Sequence, residues 1–410
     1  MRQSQLFGQT RKDGPQGEES KNAILLQRGG YIDKTNSGIY SFLPLGLRVL
    51  KKATQIIREE MDRLPHTSET LMPALQPREL WEETGRWQAY TSGGEVYTVE
   101  NETMMLGPTH EEIVTDLFRK HVSSYRQLPA ALYQIQTKFR KELRAKSGLL
   151  RGREFPMKDL YSFHLTEADL LDYYEQVAEA YLRIYKRAGL EAIRTKASGG
   201  SFSKFSDEFQ VITEAGEDLI YLKEGGTEAR NKELVVLDTD PELLAYCGGE
   251  LKSAKAVEVG NIFPLNRRYS TPMKAVIADE QGVSQDVWMG CYGIGISRLI
   301  GTVVEVHGNV AGSIQWPKEL APFAVHLIDL TPDRQAEAMY LTLAATGIEV
   351  LYDDRDKMAG EKFADADLVG APARVIVSKR SLATGGAEVR LKGTTTTIIA
   401  FDDVLPLLQQ

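Results

Sequence analysis

The sequence predicts an α+β domain, an antiparallel sheet flanked by helices, followed by a smaller α/β domain. Three observations lead there. Short period-two runs gather between residues 95 and 291 without regular helical crossovers, which is the pattern of an antiparallel sheet. After His307 the composition changes, and Gly308 to Pro322 (GNVAGSIQWPKELAP) reads as a linker. Beyond it strand and helix alternate, as in a small α/β domain. The chain is therefore divided into 1–307, a linker 308–322, and 323–410. Its 410 residues exceed what one ordinary core holds.

In chain order, GIYSFLPLG (38–46) leads into a helix whose apolar positions Val49, Leu50, Ala53, Ile56, Ile57 and Met61 recur at helical spacing. Residues 95–99 and 103–107 read as short strands, with a helix from Thr109 or His110 to about Lys120. Strands follow at 132–140 and 154–163, joined by a loop holding Gly148 and Gly152. Thr166 with Asp169 resembles a capping box, opening an amphipathic helix through Leu182. Strands are expected at 192–196, 207–213, 257–264 and 286–291, with weak patterning across 222–256. Gly290 to Gly295 then opens an apolar helix ending near Val306. In the last part the expected elements are strands 323–330, 348–352 and 373–378 and helices 333–346 and 361–369.

Composition sets limits. Hydrophobic residues at 42% and charged ones at 26% describe a globular protein. No apolar run approaches a bilayer span, and MRQSQLFGQTRKDG lacks the apolar core of a secretory signal. Two cysteines exclude a disulfide framework and fit a reducing compartment. Six scattered histidines show no zinc-ligand spacing. A cytoplasmic protein without zinc and without a membrane partner is the expectation. The net charge of −8 opposes binding of nucleic acid by overall charge. Locally the sign reverses: Lys138 to Arg153 holds seven basic residues and one acidic, Glu142.

The chemistry concentrates in that stretch. Arg140 and Glu142, two apart on a strand, project to one face. Such a pair holds a phosphate with the guanidinium and receives an amino group on the carboxylate. Phe155, at the start of the returning strand, offers a flat surface for a base. Each also suits an ordinary role, a surface ion pair or a core phenylalanine. The second element is Gly293-Ile-Gly295-Ile-Ser-Arg298. It is not a dinucleotide-binding fingerprint, because the third glycine is replaced by Arg298. Arg298 is instead a candidate cation for phosphates or a stacking partner for adenine.

Together, F-R-x-E, then R-x-x-x-F, then G-x-G-x-x-R resemble motifs 2 and 3 of the class II aminoacyl-tRNA synthetases, and GIYSFLPLGLRVLKK resembles their motif 1. The blocks LGPTHEEIVTDL, YQIQTKFRKELR, REFPMKDLYSFH, VEVGNIF, MGCYGIGISRLI and KFADADLVGAPARVIVSKR are similar to the bacterial prolyl branch of that family. The resemblance covers the start to about residue 221, and about 256 to the end.

It implies a class II catalytic domain over 1–307, an anticodon-binding domain over 323–410, and a homodimer through motif 1. It implies ATP as substrate with Mg²⁺ on its phosphates, proline, and the proline tRNA at acceptor end and anticodon. By the same resemblance Arg140 contacts the α-phosphate and the proline carboxylate, Glu142 the adenine amino group, and Arg151 the terminal phosphate. Phe155 and Arg298 sandwich the adenine. Arg140 and Arg298 are the catalytic pair. Thr109 and Glu111 resemble the loop that receives the amino group of proline; a carboxylate with a hydroxyl beside it suits a protonated secondary amine. Met157, Asp159 and Tyr161 follow Phe155 at period two and form the amino-acid face, with Cys291 near the pyrrolidine ring. Arg144 and Lys146 are the acceptor-end candidates, with Lys138 and Arg153 as phosphate attractors. In 323–410 the candidates are Arg355, Lys357, Lys362 and Phe363. Residues 322–410 hold 9 basic and 13 acidic side chains, so recognition there rests on base contacts rather than charge.

The sequence departs from the branch in one large respect. Between motifs 2 and 3 only about 222–256 stands where most bacterial prolyl enzymes carry an editing domain. Two smaller departures are Asp207 in Ser206-Asp207-Glu208-Phe209 and Asn261 in Gly260-Asn261-Ile262-Phe263, both at histidine positions of the family. Two rival readings remain: a non-catalytic synthetase paralogue that binds RNA, and a synthetase for threonine or histidine. Retained motif arginines oppose the first, and the Thr109–Glu111 loop opposes the second.

Overall fold

A computed structural model describes residues 1–143, 145, 147–200, 202–236 and 240–409. It forms two compact units. One comprises 36–39 and 53–302, the other 1–35, 40–52 and 303–410.

The first unit is built on a nine-stranded sheet. Its order is Ser206–Ile212, Ala192–Ala197, Glu228–Asn231, Asp218–Leu222, Ser253–Asn266, Trp288–Gly295, Glu154–His164, Ala130–Phe139, Thr67–Glu69. The middle of the sheet is antiparallel, as expected, with two parallel pairings among the described strands, 67–69 with 130–139 and 228–231 with 192–197. Helix Glu167–Arg187 buries Tyr174, Val177, Tyr181, Ile184 and Tyr185. The Oγ1 of Thr166 accepts from the Asp169 amide at 3.2 Å, but the box is only half made. Asp169 turns instead to His164, 2.9 Å from its Nδ1.

One expectation needs correction. The glycine-rich run is not a helix opening: Trp288–Gly295 is one continuous strand, and the helix is Ile296–His307. Close packing explains the glycines, since a Cβ at Gly290 would lie 2.2 Å from the Tyr292 hydroxyl oxygen. Gly293 differs: the nearest atom to its missing Cβ is the Met157 Sδ at 4.0 Å, which leaves bare sheet. The described part of the weakly patterned 222–256 includes strand Glu228–Asn231, a short 3-10 helix Lys232–Leu234, helix Pro241–Tyr246 and the start of strand Ser253–Asn266, and Tyr221, Leu243 and Cys247 form a small core. Asp240 caps that helix, accepting from the Glu242 amide at 2.9 Å.

The second unit carries a five-stranded sheet in the order Val350–Asp353, Val325–Asp329, Ala373–Val377, Gly386–Leu391, Thr397–Ala400. The first three strands are parallel, and the last two add antiparallel. That hairpin and the helices Lys379–Ala383 and Phe401–Leu408 lie beyond the elements read from the sequence. Within 308–322, Gly308–Asn309 pairs with Ser313–Ile314, and the buried Trp316 indole donates to the Tyr31 hydroxyl at 2.9 Å. Residues 2–4 lie against the C-terminal sheet. The Gln3 amide oxygen is 2.8 Å from the Nε2 of His326, a histidine that burial pushes down to about 3, and Ser4 donates to Asp354.

Candidate active site

Alternation along Glu154–His164 separates two environments. Lys158 points to helix Glu167–Arg187, where its Nζ reaches the Tyr181 hydroxyl at 2.5 Å and the Tyr292 carbonyl at 3.0 Å. Burial pulls that amine down to about 7. Phe155, Met157, Asp159 and Tyr161 face the other way, into a cavity of about 370 Å³. The neighbouring strand is in register with Cys291 opposite Tyr161, Gly293 opposite Asp159 and Gly295 opposite Met157. Bare glycine backbone thus forms the floor beside the Phe155 row.

The basic residues meet this cavity from the strand ends. Strand Ala130–Phe139 stops one residue before Arg140, so the expected same-face argument on a strand does not hold. Arg140 and Glu142 belong to a tight turn, with the Glu142 amide on the Arg140 carbonyl at 2.7 Å, and both still line the cavity. The Arg140 guanidinium rests on the Pro108 carbonyl, at 3.3 Å from both Nε and Nη2, and 5.5 Å from the centre of the Phe155 ring. Arg151 bridges Glu142 at 2.8 Å and Glu217 at 2.7 Å. Arg298, in the first turn of Ile296–His307, donates to the Leu150 carbonyl at 2.9 Å and pairs with Glu258 at 2.9 Å.

The cavity is also lined by Thr109, Glu111 and Cys291. Helix Glu111–His121 opens with Glu111 and Glu112 in its first turn, where carboxylates suit the helix dipole. Thr109 donates its hydroxyl to Glu111 at 2.7 Å, and the Cys291 Sγ lies 3.3 Å from Glu111 Oε1. Burial beside that carboxylate pushes the thiol well up, so Cys291 is a small apolar wall rather than a nucleophile. Asp159 accepts from Gln134 and the Tyr161 hydroxyl, both at 3.0 Å, and its other oxygen is 2.7 Å from the Lys138 Nζ.

Several sequence candidates sit elsewhere. Lys138 is fully buried against Asp159, not on the surface attracting phosphate. Lys362 is buried, its amine donating to the Asp329 carbonyl at 2.6 Å, and Phe363 packs against the core of Ile328, Ala366 and Ile376. Lys362 is thereby withdrawn from the surface, whereas Phe363 is half-buried. Arg355 is braced by Asp353 at 2.7 Å and Asp365 at 2.9 Å, while Lys357 is exposed. Arg153 donates to the Glu142 carbonyl at 3.0 Å. Arg144 and Lys146 lie outside the described residues.

The structure adds residues that the sequence did not single out. Glu258, from VEVGNIF, pairs with Arg298, and with Asp218 it puts two carboxylates on the cavity wall. Nearby Glu208 is pushed up to about 8 by burial and by the Glu258 charge. Arg86 reaches both Glu111 and Glu112 from a separate helix, and no local pattern announces a partner 25 residues away. Among the described residues no group of three His, Cys, Asp or Glu is arranged to hold a metal, and no helix is long and apolar enough to cross a membrane.

Comparison with known proteins agrees with this architecture. Residues 97–307 match the tRNA synthetase class II core domain (G, H, P, S and T), and 325–410 match an anticodon binding domain. A proline–tRNA ligase of Rhodospirillum rubrum is 40% identical over 422 residues, covering 96% of both chains. The enzyme of the same name from Nitrobacter winogradskyi is 39% identical over 433 residues, again covering 96% of both. One from Legionella pneumophila is 33% identical over 564 residues, covering 99% of this chain and 98% of its own. Since this chain has only 410 residues, at least 154 positions of that 564-position alignment have no counterpart here (564 less 410). With a core domain, an anticodon binding domain and relatives alike over nearly their whole length, the chain belongs to the class II tRNA synthetase family.

Proposed function

We propose that this synthetase is a proline–tRNA ligase. The observation that carries the reading is the gathering of every described ATP and proline candidate around one cavity, the arginines and the Thr109–Glu111 loop together. The relatives' names support the choice of proline.

In the first step an oxygen of the proline carboxylate attacks the α-phosphorus of ATP. The bond to the bridging oxygen breaks, giving prolyl-adenylate and pyrophosphate. Negative charge crowds the phosphorus, and Arg140 supplies a fixed cation there without a protein nucleophile. Arg151 takes the terminal phosphate, Glu142 the adenine amino group, and Phe155 with Arg298 the two faces of the base. In the second step a ribose hydroxyl of the terminal adenosine attacks the acyl carbon, and AMP leaves. Glu111 and Thr109 receive the ring ammonium, with Met157, Tyr161 and Cys291 around the ring. Asp218 and Glu258 suit a magnesium ion that takes most of its ligands from phosphate and water, as that ion prefers. When bound, it would neutralise phosphate charge. Among the anticodon candidates Arg355, Lys357 and the half-buried Phe363 remain in the proposal. A homodimer through 38–52, contact of Arg144 and Lys146 with the acceptor end, and a cytoplasmic location complete it, each resting on the family resemblance.

The proposal includes the absence of editing in cis, supported by the short 222–256 connection. A pocket shaped for proline cannot strongly exclude the smaller alanine. Purified protein is expected to catalyse proline-dependent ATP–pyrophosphate exchange, none with threonine, weaker exchange with alanine, and to accumulate alanyl-tRNA carrying the proline anticodon. Exchange with threonine alone would move the specificity. Rapid deacylation of that alanyl-tRNA would remove the editing claim.

Met157 gives a sharper test of shape selection. Met157→Ala is expected to admit six-membered and substituted ring analogues, improving their kcat/KM relative to proline by about tenfold or more, the range of one or two methylenes in an apolar pocket. An unchanged ranking of analogues would show that the ring is selected elsewhere.

A further inference from the structure

The first turn of helix Glu111–His121 places two carboxylates side by side, both with no exposed surface. Two adjacent anions in a dry interior need a cation close by. Among the described residues that cation is Arg86, itself 6% exposed. Its Nη1 lies 3.2 Å from Glu111 Oε2 and 3.0 and 3.1 Å from the two oxygens of Glu112. Its Nη2 donates to the Tyr90 hydroxyl at 2.7 Å. Four rings enclose the guanidinium, Trp81, Tyr90, Phe202 and Tyr269, with centres 4.7–5.2 Å from its central carbon. Such a cage fixes a planar cation in place and orientation.

The division of labour on Glu111 follows atom by atom. The Thr109 hydroxyl is 2.7 Å from both oxygens, but of the two only Oε2 also meets Arg86, while Oε1 lies beside the Cys291 Sγ that lines the cavity. Glu112 is turned away from the cavity, onto Arg86 and the Thr84 hydroxyl at 2.7 Å.

We propose that Arg86 is a positioning residue for the substrate amino group: it holds Glu111 by Oε2, so that Oε1 is the oxygen offered to the ring ammonium, and it supplies the positive charge that the Glu111–Glu112 pair requires. This rests on the reading that Glu111 receives the amine. Without Arg86 the pair must take up a proton or rotate apart, and either change spoils a site for a cation. The effect falls on proline, because the contacts of Arg86, to Glu111, Glu112, Tyr90 and its aromatic cage, include none of the residues proposed for ATP.

The test is steady-state ATP–pyrophosphate exchange with the full-length protein, varying proline and ATP separately, for Arg86→Met, Arg86→Lys and Glu111→Gln. Arg86→Met is expected to raise the KM for proline about tenfold or more and to hold the KM for ATP within about twofold, the signature of lost ground-state binding to one substrate. Arg86→Lys keeps a charge but not the fork, so its proline KM should rise about threefold or more, less than in the methionine variant. A proline KM within twofold of the parent, or proline and ATP constants rising together as a fold defect would make them, overturns the proposal. If Arg86→Met does not fold, the lysine variant decides by the same split. Glu111→Gln separates the two layers. An unchanged proline KM there removes the amine reading itself, whereas a raised one beside unaffected Arg86 variants removes only the positioning role.

Discussion

Replacing Arg140 with alanine is expected to lower proline-dependent pyrophosphate exchange by about 10²–10³-fold, the usual consequence of deleting one preorganised donor to a charged transition state. The reason is visible in how the three cavity arginines are held. Arg151 and Arg298 are each paired with carboxylates, Glu142 and Glu217 for one and Glu258 for the other. Among the described residues Arg140 meets the Pro108 carbonyl, through two long contacts of 3.3 Å, and the Phe155 ring, but no carboxylate. Among the described residues no anion takes up its charge, which is offered to phosphate or carboxylate. Little folding energy should depend on it, so the thermal midpoint of Arg140→Ala should stay close to the parent while activity collapses. A loss below about tenfold would shift the burden of stabilising phosphorus to Arg298 or to the metal.

The second large effect is structural. Lys138→Met is expected to destabilise the catalytic unit by about 3–5 kcal/mol, because it leaves the Asp159 carboxylate buried without its cation. Burial drives the Lys138 amine down, and Asp159 at 2.7 Å opposes that shift, so each group tolerates the interior on account of the other. Gln134 and Tyr161 each still donate a hydrogen bond to the aspartate, which limits the loss without replacing the charge. Urea denaturation monitored on the catalytic unit measures it. The double variant Lys138→Met with Asp159→Leu should recover most of the stability, since removing a whole buried pair costs far less than halving it. If the double variant were as unstable as Lys138→Met, packing rather than electrostatics would be responsible.

The sequence was legible where local chemistry repeats. Period-two spacing placed Phe155, Met157, Asp159 and Tyr161 on one side of a strand, and they line one cavity. Helical spacing likewise found most of Pro44–Asp62 and Glu167–Arg187. It failed where tertiary partners decide. Glycine disfavours strands, yet Gly290 and Gly293 are in one because neighbouring rings and a cavity floor leave no room or need for side chains. Charge misled in the same way: Lys138 and Lys362 look like surface lysines in one dimension, and each meets acceptors brought from another strand. Arg86 was invisible because its partners, Glu111 and Glu112, and its aromatic cage converge only after folding.

The shortness of the stretch 222–256, whose described residues include strand Glu228–Asn231 and the six-residue helix Pro241–Tyr246, has a kinetic meaning under the proposed function. A hydrolytic module tethered to the same chain would meet a mischarged acceptor end at an effective concentration in the millimolar range, before the tRNA ever left. Under the proposed absence of editing in cis, correction would be a bimolecular encounter in free solution, set by how much of another protein the cell makes. Error frequency at proline codons would then be a property of cellular stoichiometry, adjustable by expression level without any change in this active site.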